Sequence, residues 1–120
     1  MNRLIAIDLP GGPALVDALR AVWDAGDAAL VLDGRLAVSA RHDLMRRFGA
    51  AAVIDSSGTT ADPSGGRPME DGDALVVPTS GSTGEPKGAV LTHTAIAASA
   101  RAVAARLDIA DDDHWLACLP

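Results

Sequence analysis

The feature that most constrains the fold is a repeated alternation. Short apolar runs without period-two patterning are separated by stretches with one apolar helical face. Residues 3–8 hold Leu4-Ile5-Ala6-Ile7, Ala28 to Leu32 is a second compact run, and Ala51 to Ile54 is a third. Runs of this kind fit strands covered on both faces. Between the first two, residues 14–25 place Leu15, Val16, Leu19, Val22 and Trp23 on one helical side, with Pro13 before and Gly26 after. Between the second and third, residues 40–48 place Leu44, Met45 and Phe48 together, leave Arg41, Arg46 and Arg47 for water, and stop at Gly49. Short connections joining strand, helix and strand predict parallel pairing. The expected class is therefore α/β, with short, mostly parallel strands and packing helices.

The second half reads differently. Residues 56–73 carry Gly58, Pro63, Gly65, Gly66 and Pro68 among Ser, Thr and Asp, and read as a mobile linker. Ala74 to Val77 is a further strand, then a loop spans 79–88, then Ala89-Val90-Leu91. A helix is expected over 93–107, capped by Thr92, with Ile96, Ala100, Val103 and Leu107 as its stripe. Asp111-Asp112-Asp113 is an exposed turn. Residues 115–119 begin another apolar strand, and the sequence ends inside it at Pro120, so the 120 residues read as an incomplete domain.

Composition narrows the function classes. Net charge is −6, which disfavours nucleic acid and anionic membrane surfaces as partners. The single cysteine, Cys118, forms no internal disulfide, and no metal site is read from the sequence. No signal peptide or membrane-length apolar run is present, so the expected location is the cytoplasm. Aromatic residues make up 2%, so alanine and valine are expected to fill a tight helix–strand layer. Nine of the ten basic residues are arginine, and the only lysine is Lys87. A compact, mobile ammonium at one place in an arginine-rich chain points to a special role there. His42, His93, His114 and Cys118 are read as structural or solvated, and Trp23 and Trp115 as core.

The loop around that lysine runs Thr79-Ser80-Gly81-Ser82-Thr83-Gly84-Glu85-Pro86-Lys87-Gly88. Glycines at 81, 84 and 88 allow positive φ and close approach of a ligand. Successive backbone N–H groups can form an anion cradle, and Ser80, Ser82 and Thr83 add hydroxyls. The common P-loop requires glycine where Pro86 stands and Ser or Thr where Gly88 stands, so that pattern does not match. The dinucleotide fingerprint does not match either.

The loop does resemble the signature of the adenylate-forming superfamily: acyl–CoA synthetases, luciferases and peptide-synthetase adenylation domains. The continuation Ala89-Val90-Leu91-Thr92-His93 fits that signature. Residues 14–55 look like the superfamily's early α/β unit. Trp115-Leu116-Ala117-Cys118-Leu119-Pro120 looks like the approach to its next motif, and is most similar to o-succinylbenzoate–CoA ligases and related small acyl–CoA ligases. The resemblance implies an N-terminal part of an ATP-dependent acyl–CoA ligase. A carboxylic acid substrate would react with Mg-ATP to give acyl-AMP and pyrophosphate, and coenzyme A would then take the acyl group. ATP, Mg²⁺ and coenzyme A are the implied co-substrates and cofactor. Thr79, Ser80, Gly81, Ser82, Thr83, Gly84, Lys87 and Gly88 would hold the ATP phosphates, with Lys87 the catalytic candidate. The superfamily's adenine and ribose contacts, metal-binding glutamate and catalytic lysine lie further along a full-length chain. The acyl substrate stays open among o-succinylbenzoate, fatty and aryl acids, and the 120 residues alone are expected to be inactive. The alternative is a non-catalytic nucleotide- or partner-binding protein.

Overall fold

The computed structural model describes residues 1–62, 66–80 and 84–116. The elements in chain order are β1 (Asn2–Asp8), α1 (Pro13–Asp24), β2 (Ala28–Val31), α2 (Val38–Phe48), β3 (Ala52–Asp55), β4 (Gly58–Ala61), β5 (Pro68–Met69), β6 (Asp73–Thr79), β7 (Lys87–Thr92) and α3 (His93–Leu107). The strands form one sheet in the order β4-β3-β1-β2-β6-β7, with β5 paired to the start of β1.

Handedness explains the layering. The chain moves from β1 to β2 in one direction, then back past β1 to β3. Both crossovers can be right-handed only if their helices lie on opposite faces. The two hydrophobic cores show that arrangement. Val22, Leu15, Ala18 and Leu19 of α1 pack with Ile5, Ile7, Ala29 and Ala52. Leu44, Met45 and Phe48 of α2 pack with Leu4, Ala6, Leu30 and Val76. β1 and β2 are thus sandwiched, which is why neither shows period-two patterning. Among the described residues, seven of the fifteen buried apolar ones are alanine, whereas only Val22 and Val76 are valine. Small side chains let the helices sit close to the sheet; leucine and isoleucine, more than valine, supply the volume.

The parallel expectation holds at the centre and stops at the edges. β1 pairs in parallel with β2 and β3, and β2 with β6. β3–β4, β6–β7 and β1–β5 are antiparallel. Connections of two residues (56–57) and seven (80–86) are too short for a parallel crossover. The segment 56–73 is corrected by the structure: it contains β4 and β5 rather than linker throughout. β4 begins after a tight turn in which the Ser57 N–H donates to the Asp55 carboxylate at 2.7 Å. Further on, Asp62 N–H donates to Ala51 O, and Arg67 N–H to Gly49 O, each at 2.8 Å. Gly66 lies at φ +70° against Ala51, where a Cβ would come within 2.6 Å of the alanine's own. Among its described residues, backbone hydrogen bonds and a close glycine contact hold this stretch, with Met69 its apolar contact to the core. That is why its polar composition concealed it.

Other side-chain placements also differ from expectation. Val16 is exposed, leaving Leu15, Ala18, Leu19 and Val22 to face the sheet. Arg41 is largely buried and paired with Asp8 rather than facing water. Trp23 is half-buried and structural: its indole N–H donates to Ala74 O at 2.9 Å, and its ring meets His93 edge-on at 5.2 Å. Trp115 is 65% exposed and so lies outside the core. Residues 115 and 116 carry no strand, and the remainder of that expected strand, Cys118 included, lies outside the described residues. Thr92 caps α3 as expected, its hydroxyl accepting from Ala95 N–H at 3.2 Å. Among the described residues, no helix is long and apolar enough to cross a membrane.

The β2–α2 turn offers a simple electrostatic check. Arg35 donates to both Asp33 carboxylate oxygens, at 2.7–3.1 Å, and its backbone N–H donates to one of them. These bonds favour the charged form and hold the Asp33 pKa at about 2, below 3.8. A lowered folded-state pKa means that the contact is complete above the ordinary carboxylate value and lost as pH falls through about 2. A carboxyl-carbon NMR titration is expected to show that midpoint for Asp33, and Arg35→Gln should return it toward the ordinary range.

Candidate functional site

The candidate loop joins the end of β6 to the start of β7. Strand β7 begins at Lys87, so Lys87 and Gly88 belong to the strand rather than to the loop. Thr79 stands directly opposite Lys87 and Pro78 opposite Gly88. The Thr79 hydroxyl donates to the Lys87 carbonyl at 3.1 Å, which closes the base of the connection. That bond uses the hydroxyl proton and leaves the oxygen's lone pairs. Ser80 is exposed. Gly81, Ser82 and Thr83 lie outside the described residues.

Gly84 and Gly88 do different work. Gly84 has φ +79°, and a Cβ added there would meet nothing within 4 Å. Its backbone faces open space, where an anion can approach. Gly88 has no positive φ; a Cβ there would lie 2.8 Å from Val76 Cγ1 and 3.1 Å from Phe48 Cε1. Gly88 is therefore a packing glycine that lets α2 and β6 close against β7. Strand alternation puts Lys87 on the opposite side of β7 from that contact. Its ammonium is exposed and makes no ion pair among the described residues.

Two flanking residues escaped the sequence reading. Arg47, in the last turn of α2, reaches Glu85 with Nη1 at 3.2 Å from Oε2 and Nη2 at 3.1 Å from Oε1. The guanidinium holds the Glu85 carboxyl below its usual range, first by hydrogen bonding and then by charge. Arg47 and Glu85 are 38 positions apart, so no spacing rule connects them. Glu85 is neutralised by Arg47, and Lys87 leaves a net positive charge at the mouth. An exposed ammonium, an open glycine backbone and the exposed Ser80 at a sheet end are groups an anion can approach. Among the described residues, no three His, Cys, Asp or Glu side chains gather to hold a metal ion.

An apolar cavity of about 480 Å³ opens beside this end of the sheet, at the carboxyl ends of β1, β2 and β6. It is lined by Leu9, Leu15, Val31, Leu75, Val77 and Pro78, with Asp33 and Arg35 at its border. The loops after β1 and β2 diverge to opposite faces here, the arrangement in which α/β sheets open a crevice.

A model of the AMP-binding enzyme family matches residues 61–120, which include the whole β6–β7 connection and α3. The chain belongs to the AMP-binding enzyme family. Its fold agrees. The o-succinylbenzoate coenzyme A synthetase of Bacillus subtilis, solved with AMP, superposes with a TM-score of 0.80 at 25% identity, over 98% of this chain and 37% of that one. A double mutant of the same Bacillus subtilis synthetase, bound to the product analogue OSB-NCoA, gives 0.81 at 26%, covering 98% and 29%. A nonribosomal peptide synthetase in its AMPPNP-bound form gives 0.74 at 25%, covering 93% and 14%. No curated protein sequence matches the chain. The chain thus spans well under half the length of the solved AMP-binding enzymes it resembles. The similarity places it in the N-terminal α/β region of that fold.

Proposed function

We propose that these residues form part of an ATP-dependent acyl–CoA ligase, and that the β6–β7 connection binds the phosphates of ATP. The observation that carries the reading is the exposed Lys87 ammonium beside the open backbone of Gly84, at the mouth of the connection within the segment matched by the family. In the proposed reaction a substrate carboxylate oxygen attacks the α-phosphorus. The bond to pyrophosphate breaks, and an acyl-adenylate forms. The coenzyme A thiol then attacks the acyl carbon and releases AMP. Charge grows on the departing pyrophosphate, so preorganised donors beside it lower the barrier. Lys87 is assigned the charge-stabilising role. Ser80, Ser82 and Thr83 are assigned as hydroxyl donors, Thr79 as the brace that holds Lys87 through its carbonyl, and Gly81 and Gly84 as backbone donors. Gly88 is assigned an indirect role, through the packing described above. Mg²⁺ enters with the nucleotide.

Comparisons support this assignment. AMP occupies the similar synthetase, a coenzyme A product analogue its double mutant, and AMPPNP the peptide synthetase. The peptide synthetase also favours a second reading, in which adenylation is kept and the acyl acceptor is a carrier other than coenzyme A. A third observation supports a longer chain as the working unit. Val90, Leu91, Val103, Leu107, Trp115 and Leu116 are all exposed, and α3 buries no residue. This apolar surface suits the remainder of a ligase chain packed against β7 and α3.

The test is carboxylate-dependent exchange of pyrophosphate into ATP by the ligase chain that carries these residues, followed by thioester formation with coenzyme A. Exchange with thioester is the expected result. Exchange without thioester selects the adenylation-only reading. Absence of exchange across aryl, fatty and succinylbenzoate acids counts against both.

A further inference from the structure

We infer that the last turn of α2, through Arg47 and Phe48, is the positioning element for the returning limb of this connection, residues 84–88. It thereby sets how well Lys87 meets an anionic ligand. The inference rests on the phosphate-binding reading for its consequence, and on geometry for its mechanism.

Three contacts converge on the limb. The two guanidinium nitrogens of Arg47 hold the two Glu85 oxygens at 3.1 and 3.2 Å, a forked arrangement that fixes orientation as well as distance. One residue further along α2, the Phe48 ring lies under Gly88 so closely that a Cβ there would stand 3.1 Å from Cε1. At the base, Thr79 Oγ1 donates to Lys87 O at 3.1 Å. The first two contacts come from adjacent residues of one helix. The end of that helix is itself fixed: Gly49 adopts the left-handed cap at φ 71°, and its N–H donates to Arg46 O. A rigid helix end therefore grips the limb on the α2 face. The Lys87 side chain stands on the other face, free of the grip.

The two α2 contacts contribute differently. The ion pair is solvent-exposed, at 40% and 70%, so its loss should change the limb's opening equilibrium by only about twofold. The glycine contact is steric, and any side chain at position 88 has to displace Phe48 or Val76. Arg47 and Phe48 are positioning residues: neither is assigned to touch the phosphates.

The test compares Arg47→Gln, Glu85→Gln, the exchanged pair Arg47→Glu with Glu85→Arg, and Gly88→Ala, in the full ligase chain. Amide hydrogen exchange of residues 84–88 is read without nucleotide, and KM for ATP is read against kcat. Each single ion-pair variant should speed exchange about twofold and raise KM for ATP by a similar factor. kcat should be unchanged, and the exchanged pair should restore both. Gly88→Ala should raise KM more, with Phe48→Leu in the same chain relieving part of the rise. Unchanged exchange in both ion-pair variants would overturn the inference. So would faster exchange with an unaltered KM, provided that ATP still protects Lys87 from modification in the parent chain. Loss of that protection in the parent chain overturns the ATP part together with the phosphate-binding reading, while the exchange data still judge the grip of α2.

Discussion

Replacing Lys87 with alanine should lower kcat/KM for ATP by roughly 10²–10³, the usual cost of removing one preorganised charge-stabilising donor. The effect should fall on the adenylation half-reaction, where pyrophosphate leaves. Transfer from a preformed acyl-adenylate to coenzyme A should change little. Lys87→Arg should recover only part of the loss, because a planar, forked guanidinium does not reproduce a compact ammonium. The fold should survive, since Lys87 is exposed and makes no ion pair among the described residues. Pyrophosphate exchange measured beside a thermal melt separates the two effects. Equal exchange in Lys87→Ala and parent would remove the residue from the mechanism.

Leu30→Ala should cost about 3 kcal/mol in unfolding free energy, the middle of the range for a buried leucine truncation. Leu30 is fully buried in β2, between β1 and β6, and packs on the α2 side with Leu4, Leu44 and Val76. Its neighbours Ala6 and Ala28 are too short to fill the gap, and the sheet holds their backbones apart. Cavity closure is therefore limited, which keeps the cost high. Against a domain stability of about 5–15 kcal/mol the loss is large, and a shift of the urea midpoint without a change of slope would report it. A cost below about 1 kcal/mol would contradict the packing described for this core.

Much of the architecture was legible because burial leaves a pattern. Unbroken apolar runs marked β1, β2 and β3, and helical periodicity marked α1, α2 and α3. The short connections between them implied the parallel centre. Where structure is held by backbone bonds, the pattern fades. β4 is Gly-Thr-Thr-Ala with every residue exposed, and β5 is two residues long. β4 has no buried side, and β5 offers only Met69 to the core, so neither signalled a strand. Arg41 looked like a solvent residue because sequence cannot show that Asp8 awaits it 33 positions away.

The candidate site divides in the same way. Its glycines, hydroxyls and solitary lysine stand consecutively, and their chemistry could be read directly. The differing tasks of Gly84 and Gly88 could not, because one is defined by φ and the other by the neighbouring Phe48. Nor could the approach of α2, which depends on the helix crossing the sheet. The α3 helix was legible from its periodicity, but of its apolar stripe only Ile96 is half-buried while Ala100, Val103 and Leu107 are exposed, and periodicity alone does not say what covers them.

The most direct test of the central claim is protection of Lys87 by nucleotide. It is the only lysine in these 120 residues, so peptide mass spectrometry can follow its acylation beside that of the N-terminal amine. With Mg-ATP at ten times its Kd, modification of Lys87 should slow by about tenfold while the N-terminal amine reacts at its usual rate. Equal rates at Lys87 with and without Mg-ATP would contradict the assignment of the β6–β7 connection as the phosphate-binding site.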